Sequence, residues 1–198
     1  MEKISKWILI MNHAIPYKTI NVPRPTLNLL KRKISSMDLK WEKGETFATL
    51  RSHYQKSNRS SEICWIKDDE CCKAILNLAL KINSYVKWNF NIVGVEPLQF
   101  GIYPEGGFYD WHMDEHPGPD RRGYVRKISM SLFLNEDFEG GEFDLEIHKP
   151  EAEPRYDTFK AQSGKALFFK SDQWHRVRPV TSGLRKSIVA WFYGPPYS

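Results

Sequence analysis

Tyr103-Pro-Glu-Gly-Gly-Phe-Tyr-Asp-Trp-His-Met-Asp114 sets His112 and Asp114 two residues apart on a predicted β-strand. Side chains two apart on a strand leave by the same face. One imidazole and one carboxylate therefore project together into whatever that face covers, while Trp111 between them is expected to turn away and pack. Gly106 and Gly107 mark a turn just before the strand. Outward from this segment, from residue 97 on, short apolar runs are cut by glycine, proline and acids. Strands are predicted at 98–103, 109–113, 127–134, 142–147, 166–169, 175–179 and 186–192. That many short strands in half a chain predict a jelly roll closed from two sheets, mainly β with flanking helices. Long polar loops at 115–125 and 148–156 are expected at its mouth.

The N-terminal half is mixed. A strand is predicted at 7–11, followed by a stretch punctuated by Pro16, Pro23 and Pro25, a weak helix at 26–33 and a strand at 62–66. Asp68, Asp69 and Glu70 then stand where a helix start favours acids and a cap. Apolar residues recurring at helical spacing after Cys72 predict a helix over 69–86, packed outside one sheet. One domain over 1–198 is expected, with 1–95 supporting a β core at 96–196.

His175 lies on another predicted strand. Two histidines and one carboxylate on one metal face leave coordination positions open, the ligand arrangement of mononuclear iron(II) oxygenases. The His-x-Asp spacing alone is a weak signal, and the downstream context strengthens it. His175-Arg-Val-Arg-Pro-Val-Thr-Ser-Gly-Leu-Arg185 places an arginine ten residues after the histidine, past a Pro-Val-Thr-Ser-Gly turn. A hairpin there brings Arg185 back alongside the metal strand. A buried guanidinium needs an anionic partner. No protein acid stands at the matching place, so a dicarboxylic cosubstrate chelating the metal at its other end fits.

Tyr103-x-x-Gly106-x-x-Tyr109-x-x-His112-x-Asp114 is followed by Lys127-Ile-Ser-Met-Ser-Leu-Phe-Leu-Asn135 and Phe138-Glu-Gly-Gly-Glu142. Gly164-Lys-Ala-Leu-Phe-Phe169, His175-x-Val-x-Pro-Val-Thr-x-Gly-x-Arg185 and Trp191 complete the series. Together these motifs resemble the 2-oxoglutarate and iron(II)-dependent oxygenases of the prolyl hydroxylase type, above all the PKHD-type hydroxylases of bacteria and phages. The resemblance covers residues 98–196. It implies a double-stranded β-helix (cupin-like) fold, with iron(II) held by His112, Asp114 and His175. It also implies 2-oxoglutarate anchored by Arg185, dioxygen as oxidant and ascorbate as an accessory reductant. Tyr103 is expected near the cosubstrate and Trp191 on the pocket wall. Some prolyl hydroxylases carry a tyrosine just before the Leu-Asn pair, and its hydroxyl holds the cosubstrate. Phe133 stands there in this chain, so Tyr103 and Ser131 are the two candidates to replace that hydroxyl. Related halogenases leave the carboxylate position empty, so Asp114 favours hydroxylation. The implied substrate is a peptide or protein side chain, with proline favoured.

Composition bounds the alternatives. The net charge of +5 and pI near 9.0 attract anions generally, nucleic acid included. The nucleic-acid branch of the resembled family carries a second arginine where Trp191 stands, which argues against that substrate. An oxygenase acting on a small molecule, or a cupin-like binding module without catalysis, are the remaining readings. Arg121, Arg122, Arg126 and Lys127 are a candidate anion clamp or a plain solvated loop. His13, His53, His116 and His148 fall outside the pattern, with His116 nearest to it. Cys64, Cys71 and Cys72 fit neither a disulfide framework nor a zinc site and suit a cytoplasmic protein. The apolar run at 7–11 is too short for a signal core or a membrane span, and the sequon at 58–60 carries no weight.

Overall fold

Val125–Phe133 and Arg185–Gly194 are almost continuously buried, as strands are when both faces are covered. They pair antiparallel from Phe133 opposite Ser187 to Val125 opposite Gly194, and the rest of the molecule is arranged around them. The computed structural model describes residues 15–38, 40–44, 58–147 and 154–197. In chain order the elements are β1 (Tyr17–Asn21), α1 (Arg24–Ser36), β2 (Glu42–Lys43), β3 (Arg59–Ser60), β4 (Glu62–Ile66), α2 (Asp69–Tyr85) and β5 (Gly94–Val95). Then come β6 (Leu98–Tyr103), β7 (Phe108–His112), β8 (Val125–Phe133), β9 (Phe138–Gly140) and β10 (Phe143–Glu146). The chain ends with β11 (Tyr156–Phe159), β12 (Lys165–Lys170), β13 (His175–Val177), β14 (Val180–Gly183) and β15 (Arg185–Gly194).

The larger sheet runs β1-β12-β8-β15-β6-β4-β2, with β5 added beside β15. The smaller runs β11-β10-β13-β7-β3, and β14 pairs with β9 as a separate ribbon. The two sheets make the expected double-stranded β-helix. One apolar cluster lies between the larger sheet and the helices, with Ile75 and Ala79 of α2 against Leu98, Ile128 and Phe192. A second lies between the sheets and includes Tyr103, Phe133, Phe143, Phe169 and Val177. α2 starts where the Asp68 carboxylate accepts from the Cys71 N–H at 2.9 Å, which satisfies a donor the helix would otherwise leave open. Lys33 on α1 reaches the same carboxylate at 2.7 Å and joins the helices.

The strands expected at 62–66 and 98–103 form over those residues, and α2 ends one residue short of its expected limit. α1 begins two residues early because Pro25, which lacks an N–H, suits the first helical turn. The strand expected at 7–11 lies outside the described residues. Two expectations are corrected. The strand at 175–179 stops at Val177, since Pro179 cannot donate to a ladder. The hairpin that was to bring Arg185 beside the metal strand does not form. Instead Val180–Gly183 pairs with β9 and the chain passes to the larger sheet, where Arg185 opens β15 opposite Tyr103. Arg185 therefore enters the interior from the opposite sheet. β1, β2 and β4 extend the larger sheet, so the N-terminal half is built into the same architecture.

Candidate metal centre

His112 ends β7, His175 begins β13, and the two are direct partners across the ladder. Asp114 lies just beyond β7, its N–H donating to the Ser171 carbonyl at 3.0 Å. His175 Nε2 is 3.4 Å from Asp114 Oδ2, and His112 Nε2 is 3.8 Å from Oδ1. One ligand atom from each of the three side chains lies within 4.8 Å of the others. Each ring is turned by its other nitrogen: Nδ1 of His112 meets the Asp110 carbonyl at 2.8 Å, and Nδ1 of His175 meets that of Gln173 at 2.9 Å. A carbonyl only accepts, so Nδ1 carries the hydrogen and Nε2 presents its lone pair to the cluster.

Burial, then the nearby His175, push the His112 imidazole down to about 3, so the ring is neutral and able to ligate. Burial resists a charge on Asp114, but His175, His112 and Arg126 together hold its carboxyl below the usual range. Its Oδ2 is fully covered and has no hydrogen-bond donor. A buried carboxylate oxygen without a donor calls for a cation. Two imidazole nitrogens and one carboxylate are the donor set that iron(II) takes in open sites, so these residues fit the metal. The Tyr109 ring stacks 3.4 Å from the His112 ring, and Phe143 and Phe169 border His175 at 5.4 and 4.7 Å.

Arg185 is 1% exposed. Its Nε donates to the Gly141 carbonyl and its Nη1 to Ser187 Oγ, each at 3.0 Å. The guanidinium sits between the rings of Tyr103 and Phe133, at 5.0 and 5.4 Å. Gly141, at φ 62°, makes room, since a Cβ there would lie 2.9 Å from Arg185 Cδ. Nη2 has no partner. A buried cation with an unused donor fits the far carboxylate of a keto diacid whose near end chelates the metal. One chamber is lined by His112, Asp114, His175, Arg185, Tyr103, Ser131 and Trp191 together. All the site residues expected from sequence therefore meet.

Opening from the triad lies a cavity of about 900 Å³, walled by Trp65, Trp111, Trp174 and Trp191 with Arg59 and Arg126. Trp111 stacks on Arg176, its ring 4.8 Å from the guanidinium, yet it also borders this mouth, so the pure packing role expected for it is corrected. His116 also borders the mouth. The basic cluster disperses. Arg122 pairs with Asp120 at 2.7 Å, Lys127 is buried 3.3 Å above the Tyr197 ring, and Arg126 pairs with Glu96. Sequence reasoning missed Arg59, which is buried, donates to Ser61 Oγ and Gln99 Oε1, and lies 4.6 Å over the Tyr109 ring.

A jelly roll whose interior joins an open His-Asp-His face to a buried arginine defines the class of iron(II) and 2-oxoglutarate oxygenases. Residues 98–193 match the model of the 2OG-Fe(II) oxygenase superfamily. A PKHD-type hydroxylase from Psychrobacter sp. (strain PRwf-1) is 29% identical over 174 residues, covering 83% of this chain and 63% of its own. One from Synechococcus sp. (strain JA-3-3Ab) is 35% identical over 100 residues, 49% of this chain and 42% of its own. The chain thus spans less than two thirds of the length of these curated relatives. Among solved structures, a Pseudomonas putida prolyl-4-hydroxylase superposes with a TM-score of 0.64 at 22% identity, covering 89% of this chain and 91% of its own. A Trichoplax adhaerens prolyl hydroxylase in complex with a hypoxia inducible factor peptide fragment gives 0.59 at 22% identity, covering 96% and 89%. Residues 98–193 thus carry the match to the 2OG-Fe(II) oxygenase superfamily, and the curated relatives are PKHD-type hydroxylases.

Proposed function

We propose that this chain is an iron(II)- and 2-oxoglutarate-dependent dioxygenase that hydroxylates a peptide or protein side chain, with proline the favoured target. The observation that carries the reading is the unpartnered Nη2 of Arg185 in the same buried chamber as the unpartnered Oδ2 of Asp114. In this reading His112, Asp114 and His175 hold the metal, and Arg185 binds the distal carboxylate of the cosubstrate. Tyr103 and Ser131 offer the hydroxyls left near it in place of the one absent at Phe133, and Trp191 closes the wall toward the mouth. Metal and keto acid, when bound, supply oxidation of a substrate C–H bond by dioxygen coupled to decarboxylation of the keto acid.

The residues of the chain orient and enclose. Backbone carbonyls fix both imidazoles, while Phe143, Phe169 and Val177 keep the chamber apolar around the reacting atoms. The PKHD-type relatives and the prolyl hydroxylase neighbours support the hydroxylase reading and the peptide target. The shared larger sheet supports residues 1–95 and 96–196 acting as one domain. Unpaired Cys64, Cys71 and Cys72 support a reducing, cytoplasmic setting, and no described helix is long and apolar enough to cross a membrane.

The test is incubation with iron(II), ascorbate, 2-oxoglutarate and a peptide set that includes proline-rich members. Succinate release and a gain of one oxygen on a peptide are expected. Oxygen gain on a nucleic acid or a free metabolite alone would overturn the substrate class. Full succinate formation by a His112→Ala protein reloaded with iron would overturn the ligand assignment.

A further inference from the structure

Asp114 is the member of the triad that no regular element holds. His112 and His175 face each other across the β7–β13 ladder, whereas Asp114 sits past the end of β7. Two bonds from elsewhere fix its backbone, one on each side of the Cα. Its N–H donates to the Ser171 carbonyl at 3.0 Å, and its carbonyl accepts from Arg126 Nη1 at 3.3 Å.

Arg126 is itself held in a defined plane. Its Nε and Nη2 donate to the two carboxylate oxygens of Glu96 at 2.7 and 2.6 Å. Its guanidinium lies 4.0 Å from the centre of the Trp191 ring. A two-pronged arginine–carboxylate pair fixes orientation as well as distance, and the stacked indole restricts the same plane from its face. All three guanidinium nitrogens and one of its faces are thus engaged within the protein, which leaves it poorly suited to serve as a free clamp for a substrate anion.

We propose that Arg126 is a positioning residue of the metal site, a strut running from Glu96 across Trp191 to the Asp114 carbonyl. It sets where the Asp114 carboxylate stands relative to the two imidazoles. Through the same plane it sets the wall between the inner chamber and the mouth. The proposal rests on the metal-ligand reading above and names a residue outside the triad on which that reading depends. The point is geometric, so lysine cannot replace the arginine: an ammonium can reach Glu96 or Asp114 but presents no planar fork to both.

The experiment is manganese(II) binding followed by the paramagnetic resonance of the free ion, a readout that needs no turnover. The parent chain, Arg126→Met, Arg126→Lys and Glu96→Gln are compared at a temperature where circular dichroism shows each folded. Loss of a group that orients a metal ligand weakens metal affinity roughly 10- to 100-fold, and that loss is expected for Arg126→Met. Arg126→Lys should fail to restore it. Glu96→Gln, which frees the arginine without removing it, should weaken binding in the same direction by less.

Manganese affinity of folded Arg126→Met within twofold of the parent overturns the strut. Should Arg126→Met not fold, unchanged affinity in Glu96→Gln overturns it. A parent chain that binds no manganese(II) sinks the metal reading and the strut with it. Normal binding by both parent and Arg126→Met sinks the strut alone.

Discussion

Arg185 is held by a backbone carbonyl, a serine hydroxyl and two aromatic faces, none of which neutralises its charge. A charge-assisted bond from it to a bound carboxylate contributes about 1.5–3 kcal/mol. Arg185→Gln should therefore raise the 2-oxoglutarate KM roughly 10- to 100-fold, with kcat less affected. Succinate formation against cosubstrate concentration measures this, and an unchanged KM would remove Arg185 from the cosubstrate site. The residue was legible because it follows His175 at a set spacing in a motif with a glycine-containing turn. The face it occupies was not legible, since spacing says nothing of which sheet receives the strand after a turn. Arg59 shows the opposite case. In Asn-Arg-Ser-Ser it reads as a solvated polar residue. Only the approach of β3 to β7 puts its guanidinium over Tyr109, a tertiary contact without a local pattern.

β10 shows how one strand serves both the chamber and the surface. Phe143 and Leu145 point into the inter-sheet cluster, so Asp144 points out by alternation. There it accepts from Arg176 Nε at 2.7 Å, Arg178 Nε at 2.8 Å and the Thr158 hydroxyl at 2.7 Å. One carboxylate thus ties β10 to β11 and to the strand that carries His175. Asp144 is covered while both arginines reach water, so the full cost of breaking a buried pair is reduced. Asp144→Asn should lose about 2 kcal/mol at neutral pH, measured by urea denaturation. Burial raises the Asp144 carboxyl, but Arg178, Thr158 and Arg176 overcome this and hold it below the ordinary range. A depressed folded value stabilises above the unfolded value, and that stabilisation is lost as pH falls through the folded one. The gap between parent and variant should therefore close in acid, and a gap that widened there would contradict the assignment. Elements with a clear period were readable, as β4, β6 and α2 were. β3, β9 and β14 are two to four residues long, too short for alternation to register. Their pairing is decided by the partner strand.

The molecule as a whole crosses the division in character near residue 95. That division is real in composition, with helices before it and closely spaced strands after it, but the larger sheet ignores it. β1 covers the outer edge of β12 over five paired residues, from Tyr17 opposite Phe169 to Asn21 opposite Lys165. A chain beginning after Asn21 would leave β12, with its buried run from Ala166 to Phe169, as an open edge. Such edges pair with other chains. The truncated protein should melt at lower temperature and scatter light at concentrations where the full chain stays clear. A clear solution with an unshifted midpoint would show that β1 is dispensable. The motifs disclosed the chemistry of the C-terminal strands. How far the N-terminal strands share the sheet could be seen only once the chain was folded. His112 and His175 hang from the smaller sheet while Arg185 stands on the larger, so the gap between the sheets acts as a caliper. If a keto diacid is gripped at both ends as proposed, one a methylene shorter or longer would satisfy one jaw and miss the other, a selection by length that charge alone could not make.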